Sequence, residues 1–270
     1  MSSTDPLELI SEEPRSADPA AMGRIRLWKP ALLAAVGAAL VSWIVGELGS
    51  RRLTPRFEDV PARFQTPREV FVPYMKKLVR QGHMRKAEVS YGVLGAALGI
   101  GLGAVGAYVR RENGPQRSRW LGNAMRAGTA GLLIGGLGVT ATAWVLVPRY
   151  FEALDQATEV DEMNDMIYAL TVHVSVFAAI GLAGGLSLGL AIGEWPRTAV
   201  AGLLGGVCAA LCYEITGALA FPTHQTGLPV ADVPALRALA HLLTALAIAG
   251  FVTLAAVREK SKPRSTPRVS

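Results

Sequence analysis

Charge is scarce in this 270-residue chain: Asp, Glu, Lys and Arg supply 18% of it, against about 25% in soluble domains. Histidine occurs four times, aromatic residues make up 7%, and there are two cysteines. Cys208 and Cys212 fall in one apolar run, so they say little about a redox compartment. No nucleic-acid module is recognisable, and nucleic acid is not an expected partner despite the net charge of +6. A collagen-like period and a low-complexity linker are both missing. The positive stretch that opens a cleavable signal is missing too: Asp5, Glu8, Glu12, Glu13 and Asp18 stand among the first 29 residues. The first apolar segment therefore reads as a retained anchor.

Apolar surface and glycine are abundant. Hydrophobic residues make up 51% of the chain, mean hydropathy is +0.33, and most of the 29 glycines lie inside apolar runs. Six such runs approach the roughly 20 residues needed to cross a hydrocarbon core: 30–48, 89–109, 124–147, 168–193, 198–221 and 235–257. The expected fold class is therefore all-α, a polytopic membrane bundle of about six helices. Residues 1–29 are expected to form a disordered cytoplasmic tail, and 258–270 a basic, solvated one. Between the first two runs, residues 49–88 form a basic loop. In it Phe71, Val72, Met75, Leu78, Val79 and Gly82 recur at helical spacing, which predicts an interfacial amphipathic helix.

Positive charge orients the bundle. With both termini in the cytoplasm, fifteen Lys and Arg lie inside and twelve outside, ten of the twelve in the 49–88 loop. The short connections decide more clearly: 110–123 is basic, whereas 149–167 carries six acids and one Arg. The expected location is a bacterial inner membrane, with the bilayer and its anionic headgroups as partners. A second copy or another membrane protein is the expected protein partner.

The second and third runs resemble the fourth and fifth. Gly95, Gly99 and Gly103 match Gly181, Gly185 and Gly189 at an offset of 86. Gly131 matches Gly202 within the shared sequence Ala-Gly-Leu-Leu, and Gly135 matches Gly206, both at an offset of 71. Either a parallel duplication or shared Gly/Ala composition accounts for this. In both cases glycine at every fourth position clears a helix face for close packing, as lipid gives helices no hydrophobic reason to associate.

Several patterns imitate chemistry. Gly101, Gly103 and Gly106 spell a dinucleotide fingerprint, but that motif needs a strand-to-helix turn and here lies inside a span. Residues 185–189 spell a nucleophile elbow around Ser187, whose hydroxyl can instead bond back to its own helix. Cys208 and Cys212, four apart, are small packing groups before they are metal ligands. No catalytic set, metal or cofactor is expected.

One constellation remains. His173, Glu214 and His241 stand about five, seven and six residues in from the acidic-loop end, roughly 8–10 Å deep at 1.5 Å per residue. Each heads or continues a row of small residues, so all three should face inwards. They are read first as an interhelical hydrogen-bond clip, and alternatively as a proton relay or transition-metal site. Glu47 and Arg149 are read as interface markers. The expected function is thus a non-enzymatic structural or assembly component. A small proton- or metal-linked transporter is the alternative.

The layout over residues 70–255 resembles uncharacterised bacterial membrane proteins with two Gly-rich hairpins. Gly95-x-x-x-Gly99, the span opened by His173, and Tyr213-Glu214 followed by Phe221-Pro222 carry the likeness. The resemblance implies an architecture and no activity.

Overall fold

The structure is a computed structural model that describes residues 19–54, 60–61, 68–113, 120–156, 162–221 and 228–258. Among these, every regular element is helical. In chain order they are α1 (Pro19–Leu53), α2 (Arg68–Asn113), α3 (Trp120–Leu132), a π-helical turn (Leu133–Gly138), α4 (Val139–Gln156), α5 (Glu162–Ile192), α6 (Trp195–Ala220) and α7 (Pro234–Arg258). With α3, the π turn and α4 taken as one rod, six helices are long and apolar enough to cross a membrane. The fold is the all-helical, six-span bundle expected of the apolar runs.

Two element boundaries differ from the sequence reading. Residues 19–29, expected in a disordered tail, already belong to α1, and Leu27 is buried against the bundle. The rest of the proposed tail, residues 1–18, lies outside the described residues, as does 259–270. The amphipathic stretch of the basic loop is not a separate element either. It continues into the second span as one 46-residue helix with Pro73 inside it. At 1.5 Å per residue this rod is roughly 70 Å long, more than twice the hydrocarbon thickness. Its N-terminal part is tied to the end of α4 by ion pairs, Lys76 to Asp155 and Arg80 to Glu152. Those contacts, with the His83 ring packed on Phe151, set the stretch along α4.

Helices α2 and α5 form the centre, packed on each other and ringed by the other spans. Glycine decides how closely. A Cβ on Gly95 would lie 2.6 Å from the Gly135 carbonyl oxygen, and one on Gly99 would lie 2.6 Å from the Gly131 Cα. Gly103 meets Ala127 one turn further on. Helix α5 meets α6 the same way: Gly181 against Gly202 and Gly206, Gly185 against Gly202 and Thr198, and Gly189 against Thr198. In both hairpins backbone touches backbone, where any side chain would force the helices apart.

The connection from α5 to α6 is short. Gly193 adopts φ +90°, a left-handed conformation that glycine takes without strain. The Gly193 and Glu194 amides both donate to the Gly189 carbonyl, and Pro follows at the start of α6. Arg110 of α2 donates to the Ala191 carbonyl, satisfying one of the open carbonyls at the end of α5.

Candidate functional site

The acidic-loop end of the bundle holds two polar groupings, separated by aromatic rings. The first joins α5 to α6. Nδ1 of His173 donates to Oε1 of Glu214 at 2.5 Å; the histidine is fully buried and the Glu214 side chain is 16% exposed. The ring stands edge-on to Tyr213 and tilted against Phe177. Among the described residues, neither His173 Nε2 nor the buried Tyr213 hydroxyl has a hydrogen-bond partner.

The second grouping joins α7 to α1 and α2. His241 Nδ1 donates to the Arg237 carbonyl at 2.6 Å, which leaves Nε2 to accept from the Ser90 hydroxyl at 3.0 Å. Both ring nitrogens are thus engaged in the neutral tautomer. Arg237, itself buried, grips Glu47 with two parallel hydrogen bonds of 2.6 and 2.9 Å. Its remaining nitrogen donates to the carbonyls of Ala231 and Asp232. This forked geometry suits a planar guanidinium and a carboxylate and supplies both strength and direction. Nearby, Trp43 Nε1 donates to the Pro234 carbonyl, and Lys86 approaches Asp232 at 4.0 Å.

Between the groupings stand Tyr91 and Phe177. Tyr91 stacks on His241 with ring centroids 5.7 Å apart and meets Phe177 edge-on at 5.5 Å. The three residues singled out in the sequence therefore do not form one cluster. His173 and Glu214 come together, whereas His241 turns to Ser90 and the Arg237 backbone with aromatic rings intervening. A common depth fixes only one coordinate; the azimuth of each side chain selects its partner.

Glu47 also changes role. It is half-buried and bound to Arg237, so it joins two helices, while Arg149 is exposed. The sequence reading missed the pair because its members are 190 residues apart. The signal available was a lone acid ending the first span and a lone base opening the last, opposite in sign and at one level.

The look-alike motifs all lie within helices. Gly101, Gly103 and Gly106 lie in the interior of α2. Ser187 donates to the Ala183 carbonyl within its own helix. Cys208 and Cys212 are free thiols, Cys212 on an exposed face of α6. Among the described residues no three His, Cys, Asp or Glu side chains gather as a metal site.

Six long apolar helices with buried polar clips between them define a multi-pass helical membrane protein. No protein-family model, curated protein or solved structure matches the chain. Its own geometry must carry the functional argument.

Proposed function

We propose that the chain is a non-enzymatic structural or assembly component of a bacterial inner membrane, built on a duplicated glycine-lined hairpin. The carrying observation is the pattern of backbone contacts. Applying the offsets of 86 and 71 to the pairs 95–135, 99–131 and 103–127 gives 181–206, 185–202 and 189–198. Each of these pairs is in contact, but Gly181, Gly185 and Gly206 each lie nearer to a residue one turn away, Gly202, Thr198 and Phe177 respectively. The second hairpin thus repeats the small-residue seam of the first with its register displaced by part of a turn, and that shared seam supports the duplication. The two central helices α2 and α5 then run parallel, related by an axis along the membrane normal. Cytoplasmic termini follow from the basic 110–123 connection and the acidic 149–167 one.

A framework of this kind resists deformation, which suits a scaffold for a second copy or another membrane protein. Replacing Gly95, Gly99, Gly181 and Gly185 together by leucine should collapse the fold or its self-association. Unchanged thermal stability in detergent would contradict the proposal.

One observation favours a second reading, a small proton-linked carrier. The Glu214 carboxylate keeps some exposure while bonded to a buried histidine whose other nitrogen has no partner among the described residues. An ionisable residue inside a membrane is a functional candidate by default. That reading expects pH-dependent uptake into reconstituted vesicles, abolished by Glu214→Gln with expression intact. Loss of stability alone in the variant leaves the pair as a clip.

A further inference from the structure

The basic stretch of α2 has no role in either reading, yet the structure places it against a groove. Met84 of α2 and Trp144 and Pro148 of α4 form an apolar floor, with Lys77, Arg80, Gln81 and Arg85 above; the space is about 510 Å³. That volume is within the ordinary range for a small-molecule site, about 300–1,000 Å³. A smaller space of about 210 Å³ adjoins it on the α1 side, sharing Gln81 and Arg85 and adding Arg52.

The level of this groove follows from the contacts of Ser90. Ser90 of α2 faces His241 of α7, and Gly46 of α1 packs on Ser90. Helix α7 begins seven residues before His241, and the apolar run of α1 ends two residues after Gly46. Met84 and Arg85, five or six residues before Ser90, therefore stand at the edge of the hydrocarbon. Gln81, Arg80 and Lys77 lie roughly 5–12 Å further out at 1.5 Å per residue, at headgroup height. Trp144 marks the same boundary: it is 55% exposed and donates its indole N–H to Glu88. Tryptophan gathers at this depth, with an apolar ring and a polar edge.

Charge selects the occupant. Arg80 is neutralised by Glu152, but among the described residues Arg52, Lys77 and Arg85 are exposed and have no carboxylate partner. Three unpaired cations above an apolar floor, open to the bilayer, match a molecule with an anionic head and an acyl chain. We propose that this groove is a binding site for an anionic phospholipid. The phosphate lies among Lys77, Arg85 and Arg52, and an acyl chain runs down over Met84, Pro148 and Trp144. The inference rests on the membrane-spanning reading and is independent of the choice between scaffold and carrier.

The test uses the full chain, purified in a neutral detergent and titrated with phosphatidylglycerol or phosphatidylcholine, with bound lipid counted by native mass spectrometry. The chain should retain phosphatidylglycerol in preference, and salt near 1 M should erase the preference, because the Debye length then falls to about 3 Å. Lys77→Gln with Arg85→Gln should weaken phosphatidylglycerol binding about 30-fold, at roughly 1 kcal/mol per cation near the surface. The paired substitution Lys29→Gln with Arg126→Gln removes the same charge from exposed positions at the other end of the bundle and should leave binding unchanged. Lys77 and Arg85 are exposed and unpaired, so the fold should survive, which an unchanged melting temperature without added lipid checks. Equal retention of both lipids, equal loss in both double variants, or full competition by millimolar inorganic phosphate would each overturn the proposal. A chain that stays monomeric in buffer without detergent would fail earlier, at the membrane reading itself.

Discussion

Arg237 makes four hydrogen bonds, two to the Glu47 carboxylate and two to backbone carbonyls, and is 6% exposed. Removing one partner of a buried pair leaves the other charge uncompensated, a loss of about 3–5 kcal/mol. Glu47→Gln should therefore lower the melting temperature in detergent strongly. Glu214→Gln should act more mildly, because measured interhelical hydrogen bonds in membranes average about 0.6 kcal/mol. Comparing the two variants by thermal unfolding checks the order, and a larger effect at Glu214 would contradict it. The depth of His173 and Glu214 could be counted along the sequence, as could that of His241. Nothing in the sequence indicated that the Tyr91 and Phe177 rings would separate them, or that Ser90 would occupy Nε2 of His241. Which side chains meet depends on helix rotation, and the local sequence only loosely encodes rotation.

At the scale of helices, the glycine contacts make opposite predictions for residues of one type. A Cβ on Gly99 meets backbone at 2.6 Å, whereas at Gly37 and Gly128 nothing lies within 4 Å. Gly99→Ala must push α2 from α3, and overpacking of this kind costs about 1–3 kcal/mol. Gly37→Ala and Gly128→Ala should be neutral or slightly stabilising, since alanine is the better helix former by about 1 kcal/mol. Thermal melts of the three single variants separate these outcomes. Gly193→Ala should also destabilise, because its φ of +90° strains any residue with a Cβ. The helical spans and the glycine spacing were legible from hydropathy and period. The unbroken α2 rod was not. Its amphipathic half reads like an interfacial helix, but it lies along α4, where His83 packs on Phe151 and ion pairs reach Glu152 and Asp155.

For the molecule as a whole, an even number of crossings returns the chain to the side on which it started. Reporter fusions within 114–119 and at the C-terminus should report cytoplasm, and a fusion within 157–161 the opposite side. The reverse pattern would place the basic stretch of α2 in the cytoplasm, against the orientation proposed. The lipid site would then face the inner leaflet with its geometry unaltered.

The architecture was already present in the amino-acid order. A bilayer leaves a long apolar segment few choices, because every backbone polar group must be satisfied within the segment, and a helix does this locally. Pairing is another matter. Only the folded bundle decided that His173 would reach Glu214, that His241 would close on Ser90, and that Arg237 would grip a carboxylate 190 residues away. Those contacts depend on the azimuth and offset of neighbouring helices, and packing across the whole bundle sets both.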